Sequence, residues 1–121
     1  MIDPLDTGDL DKDVARRLTL SRIALGMSPG DFAAGAGLTQ SNYSQYENLW
    51  RSLSIRAAMK LCARYNLTLD WLFRGDPSGL PIRLNDAINS ATAEHGERVI
   101  AVIESFPSAP TKGRRRTRRQ G

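Results

Sequence analysis

The sequence predicts an all-α fold, with five short helices followed by a helical extension and an Arg-rich tail. Three observations predict it. Apolar residues recur at three- and four-residue intervals from Val14 to Phe73, the period of a helix with one buried face. Four of the runs open on a serine or threonine, Ser28, Thr39, Ser54 and Thr68, which are the residues that cap helix N-termini. The breaks between runs carry glycine or asparagine, and one is a tight glycine turn at Gly37.

The elements follow in order. Val14 to Leu25 reads as the first helix, with Val14, Leu18 and Leu25 on one face, and Gly26 ends it. Ser28 caps the second, with Pro29 at its first position and Asp31 as the carboxylate of a capping box. Phe32, Ala33 and Ala36 form its inner face, and Gly37 stops it. Thr39 caps a third helix, Gln40 to about Asn48. Its Tyr43, Tyr46 and part of Glu47 turn inward, and Gln40, Ser41, Asn42, Ser44 and Gln45 turn outward.

Ser54 caps a fourth helix to Tyr65, with Ile55, Ala58, Met59, Cys62 and Tyr65 on its inner side. Asn66 takes the left-handed position that closes it. Thr68 caps a short fifth helix whose Leu69, Trp71, Leu72 and Phe73 add bulk to the core, and Gly75-Asp76-Pro77 ends the unit. Beyond the connector 78–81, Leu84, Ala87, Ile88 and Ala91 fit one helical stripe, and Val99, Val102, Ile103 and Phe106 another. Val99–Ile103 is β-branched enough for a strand, but the segment is read as helix. Pro107 and Pro110 end the order, and the tail beyond is expected to be disordered.

The chain therefore divides into an acidic arm (1–13), a helical unit (14–76), a connector with an extension (77–106) and a basic tail (107–121). A length of 121 residues holds one compact domain with appendages. No apolar stretch approaches the ~20 residues that span a membrane, and the acidic first 13 residues lack the apolar centre of a secretory signal. The expected location is the cytoplasm, at the nucleoid.

Single residues exclude several chemistries. Cys62 is the only cysteine, so no disulfide forms within the chain, and it reads as a small buried hydrophobe. His95 is the only histidine and reads as a surface residue. A zinc site takes about four ligands, and no such cluster is present. No metal, cofactor or enzymatic activity is expected.

Charge is uneven. Residues 1–13 hold five aspartates against one lysine, a local −4. Lys112, Arg114, Arg115, Arg116, Arg118 and Arg119 place +6 in the last ten residues. Such a tail suits a polyanion, or serves only as a solubilising end.

The second and third helices carry the function. Two short helices joined by a tight turn, the second with a polar outer face, define a helix-turn-helix. Ala33 must be small where the helices cross, and Gly37 bends where a Cβ would strain the turn. Phe32, Ala36, Leu38, Tyr43 and Tyr46 lock the pair at one angle. That angle lets the second helix enter a major groove ~12 Å wide.

The run RLTLSRIALGMSPGDFAAGAGLTQSNYSQYEN, continued by SIRAAMKLCARYNLTLDWLFRGD, resembles the lambda-repressor-like (xenobiotic-response-element, Cro-type) helix-turn-helix family. The resemblance covers about residues 16–76 and rests on Ala33, Gly37, Thr39-Gln40, Glu47 and the LDWLF ending. It implies a five-helix DNA-binding domain of a bacterial or phage regulator. By position it implies base contacts from Gln40, Ser41, Asn42 and Gln45, glutamine being able to bond adenine bidentately. It implies phosphate contacts from Thr39, Ser44, Asn48 and Arg51, and a partly buried structural ion pair between Arg22 and Glu47.

Three positions depart from the family. Pro29 lacks the N–H and side chain that would reach a phosphate. Leu49 stands where glycine is usual, and Trp50 where a small or basic residue is usual. Leu49, Trp50 and Leu53 are either core or an exposed protein-binding patch. The expected function is a sequence-specific transcription regulator, a repressor, binding palindromic double-stranded DNA as a homodimer through residues 83–106. Its Arg114, Arg115, Arg116, Arg118 and Arg119 would neutralise phosphates without reading sequence. The alternative is a helix-turn-helix module converted to bind protein, as an antiactivator or adaptor.

Overall fold

The computed structural model describes residues 7–106, and every element among them is helical. They are α1 (Thr7–Ala24), α2 (Pro29–Gly35), α3 (Gln40–Glu47), α4 (Ile55–Tyr65), a single π-helical turn (Asp70–Arg74) and α5 (Ile82–Ser105). Among the described residues no helix is long and apolar enough to cross a membrane.

α1 is the central element because it is apolar on two sides. Val14 and Leu18 join Phe32, Tyr43, Leu61 and Leu72 in one cluster. Ala15 and Leu20 join Leu49, Ala91, Val99 and Ile103 in another. Among the described residues the one buried polar side chain, Ser21, is satisfied: its hydroxyl donates to the Arg17 carbonyl (2.7 Å) and accepts from Trp71 Nε1 (3.0 Å).

The first helix begins at Thr7, seven residues ahead of the Val14 start read from periodicity. Part of the acidic arm is thus helix. Asp9 suits the positive end of the helix dipole. Contacts distant in sequence hold the extra turns: Lys12 Nζ lies 3.1 Å from Glu104 Oε1, and the Ser52 hydroxyl donates to Asp11 Oδ2 at 2.8 Å.

α4 is rotated from the expected face. Ala57, Ala58, Leu61 and Tyr65 are buried, while Ile55 and Met59 are 57% and 58% exposed. Tyr65 lies on both the expected and the observed face. Its hydroxyl donates to the Phe32 carbonyl (2.7 Å), and the two rings stack with centroids 4.4 Å apart. That carbonyl needs an outside donor because the end of α2 tightens, with the Ala36 N–H going to Ala33 instead. Asn66 closes α4 with a left-handed φ of 60°.

After Thr68, whose hydroxyl accepts from the Trp71 N–H (2.9 Å), the expected fifth α-helix is the π-helical turn. Leu72 is its buried anchor, Trp71 and Phe73 pack partly against the core, and Leu69 stays 40% exposed. Arg17 Nη1 donates to the Leu72 carbonyl at 3.1 Å, a tie between α1 and this turn.

α5 runs unbroken for 24 residues, which settles the strand alternative for Val99–Ile103 in favour of helix. It is not a detached extension. Leu84 and Ile88 enter the cluster around Leu18, and Ala91, Val99 and Ile103 pack on α1. Burial of five large and small apolar side chains at ~25 cal/mol per Å² makes α5 part of the folding unit. The stripes expected to pair two copies are therefore largely used within one chain. Val102, expected in the stripe, is 48% exposed, as is Ile100 at 47%.

Candidate nucleic-acid interface

The geometry of the site is set by local caps and one turn. The Ser28 hydroxyl accepts from the Asp31 N–H at 3.1 Å, with Pro29 as the first helical residue of α2. Only this half of the capping box is formed among the described hydrogen bonds, since Asp31 is one methylene shorter than the glutamate that reaches back. At the other end Gly37 is left-handed (φ 78°), and the Leu38 N–H reaches the Ala33 carbonyl at 2.9 Å. The chain reverses within three residues, and the Thr39 hydroxyl accepts from the Asn42 N–H (3.1 Å) to start α3.

The inner side of α3 is fully occupied. Tyr43 is buried with its ring edge-on to Phe32 at 5.3 Å, and Tyr46 is buried beside it. The Tyr43 hydroxyl donates to Glu47 Oε2. Glu47 also receives Arg22 Nε at 2.8 Å and Arg22 Nη2 at 3.2 Å, and Arg22 Nη1 donates to the Met27 carbonyl at 3.1 Å. Burial lowers the Arg22 pKa, but the Glu47 hydrogen bond and charge outweigh it and hold the guanidinium above its ordinary value. Burial, then the Glu47 charge, pushes the Tyr43 phenol well above its own. Both groups keep their neutral-pH charge states, so the cluster is a fixed tie between α1 and α3.

The outer side is polar and uncharged. Gln40, Ser41 and Asn42 are exposed, Ser44 and Gln45 half-buried, and Thr39 and Asn48 exposed at either end. These seven residues share one helix and its caps. Arg51 lies in the loop beyond, exposed. Arg114, Arg115, Arg116, Arg118 and Arg119 lie outside the described residues.

Residues 13–72 match the helix-turn-helix family. This segment belongs to that family, in its lambda-repressor/Cro-like form. Membership places it among DNA-binding transcription regulators. No curated protein and no solved structure matches the chain. The helix-turn-helix is α2 and α3, and the matched segment ends at Leu72. α5 therefore lies outside the family match although it shares the core.

The Leu49, Trp50, Leu53 cluster divides. Leu49 and Leu53 are buried, and Trp50 alone is exposed, at 79%. Leu49 adopts the left-handed backbone (φ 63°) in place of the usual glycine. Sequence reasoning missed one contact at the site: a Cβ on Gly30 would fall 2.9 Å from Gln40 Oε1, so the Gln40 amide lies over the first turn of α2. Its only sequence signal is the glycine itself, near the start of a helix.

The single cysteine and the single histidine lie on α4 and α5. Burial pushes the Cys62 thiol up, away from the thiolate. His95 is partly exposed, 3.5 Å from Glu94. No group of three His, Cys, Asp or Glu side chains stands together among the described residues.

Proposed function

We propose that the chain is a sequence-specific repressor that lays α3 in the major groove of a palindromic operator. The observation that carries this is the uncharged hydrogen-bonding face of α3, held rigid by the Arg22–Glu47–Tyr43 tie within a helix-turn-helix segment. Gln40, Ser41, Asn42 and Gln45 read base edges. Thr39, Ser44, Asn48 and Arg51 hold phosphates.

Residues 7–106 contain 11 acidic and 11 basic side chains, so the folded body has no net charge to draw it to DNA. Lys112 to Arg119 supply that attraction. One short recognition helix reads few base pairs, and a homodimer doubles the contact. The outer face of α5, with Ile100 and Val102, is the surface left for that pairing. Repression needs no further part, because occupying the operator excludes other proteins from it.

A duplex selected from a random pool by the full chain tests the reading in gel shifts across a salt series. Gln40→Ala or Gln45→Ala should each cost ~1–3 kcal/mol on that duplex and little on random DNA. Equal losses on both would mean that these residues do not read bases. Truncation after Pro110 should flatten the salt slope by up to ~5 units on both DNAs, with specificity retained.

A further inference from the structure

We propose that Trp50 is an uncharged anchor that packs its indole on the sugar-phosphate strand bordering the groove occupied by α3. The inference rests on the reading of α3 as the DNA-binding helix. Trp50 is 79% exposed, the largest apolar side chain presented to solvent beside α3. It stands two residues beyond Asn48 and next to Arg51, both exposed. A helix in the major groove is bordered by backbone strands, and the chain leaving that helix meets them first.

The side chain is displayed on a rigid support. The Trp50 and Arg51 N–H groups both donate to the Gln45 carbonyl, at 2.9 and 3.1 Å. Between them and the helix stands Leu49, left-handed at φ 63° and buried with Ala15, Leu20 and Val99. A left-handed backbone is unfavourable for a residue with a Cβ. The buried leucine holds the chain in that state, and the next residue is turned outward.

The chemistry of the indole suits this partner. Its face covers deoxyribose carbons, and Nε1–H is a lone donor for a phosphate oxygen. A protein partner is less well matched. Stable protein contacts bury about 800 Å² on each side, and the two leucines near Trp50 in sequence, Leu49 and Leu53, are buried and add nothing to an exposed patch. Being neutral, Trp50 displaces no counterion, which separates its contribution from that of Arg51.

The test uses the full chain and the pool-selected duplex. Saturation with duplex should quench the tryptophan emission, and the quenching should vanish in Trp50→Phe. Trp71 does not compete as a reporter, because it is packed against the core with its Nε1 bonded to Ser21. Trp50→Ala should bind about tenfold more weakly with an unchanged salt slope, whereas Arg51→Ala should lower the slope by ~0.9. Unchanged emission on saturation, with Trp50→Ala as tight as wild type, overturns the proposal while leaving the α3 reading intact. Loss of self-association in Trp50→Ala without loss of DNA affinity assigns the residue to a protein contact and overturns it as well. If the wild-type chain binds no duplex at any salt concentration, the α3 reading falls, and this inference with it.

Discussion

Arg22 and Glu47 form a two-pronged ion pair, 2.8 and 3.2 Å between their atoms, with side chains only 15% and 12% exposed. The pair joins the end of α1 to the last residue of α3, and the Tyr43 hydroxyl donates to the same carboxylate. Glu47 is thereby turned away from the exposed polar face of α3, and α3 cannot roll about its axis without breaking the two bonds to Arg22, the Tyr43 bond lying within α3 itself.

Arg22→Met strands the Glu47 carboxylate against Tyr43 and should cost about 3 kcal/mol, the lower end for a buried pair. Glu47→Gln should cost less, since the amide oxygen still accepts one bond. A double-mutant cycle in urea should give a coupling of more than about 1 kcal/mol. Small additive effects would show that the pair adds nothing to the fold.

Leu49 presents two opposing terms. Its left-handed φ of 63° is strained, and its side chain is buried in the α1–α5 cluster. Leu49→Gly relieves the backbone and loses the burial. Leu49→Ala loses most of the burial and keeps the strain. The expected order of stability is wild type, then Gly, then Ala, with Gly above Ala by about 1 kcal/mol. Urea midpoints decide it, and Ala at or above Gly would mean that the loop relaxes to another conformation.

Asp11 supplies a pH test. Burial raises its pKa above the ordinary 3.8, and the Ser52 hydrogen bond only partly offsets this. A folded pKa above the unfolded one favours the protonated form. Its contribution is present below the unfolded value and lost as pH rises through the folded value, so at pH 7 the charged group is a small liability. Asp11→Asn keeps an acceptor for Ser52 and should raise the urea midpoint at pH 7. The gain should disappear below about pH 3, where the wild-type carboxyl is also neutral. A gain of equal size at both pH values would point to packing instead of charge.

The features legible in the sequence are those decided within a few residues. Ser28, Thr39, Ser54 and Thr68 each accept from the backbone N–H three residues on, and Gly37 and Asn66 take left-handed backbones. The features missed depend on distant partners. Either of two overlapping stripes, both containing Tyr65, could have been the inner face of α4, and only packing with residues distant in sequence buries Leu61 and leaves Met59 exposed. α1 gains its first turns, and α5 its place, from each other. At the site, helical period alone separated the outward residues of α3 from Tyr43 and Tyr46. Nothing in it brought Gln40 to Gly30, which belong to different helices.

That contact yields a separation of stability from recognition. A Cβ at Gly30 would lie 2.9 Å from Gln40 Oε1 and 3.4 Å from its Cδ, the mobile end of a long side chain. The amide can move aside, so Gly30→Ala should not damage the fold. Alanine is better than glycine in a helix by up to about 1 kcal/mol, and the urea midpoint should stay level or rise. The displaced Gln40 amide, however, no longer rests on α2 in its present pose. If that pose reads a base, Gly30→Ala should weaken the selected duplex by ~1–3 kcal/mol and leave random DNA unaffected. Adding Gln40→Ala should then produce no further loss, because both changes remove one contact. A Gly30→Ala protein that is more stable and binds the selected duplex as wild type does would show that Gln40 swings freely, with α2 playing no part in aiming it.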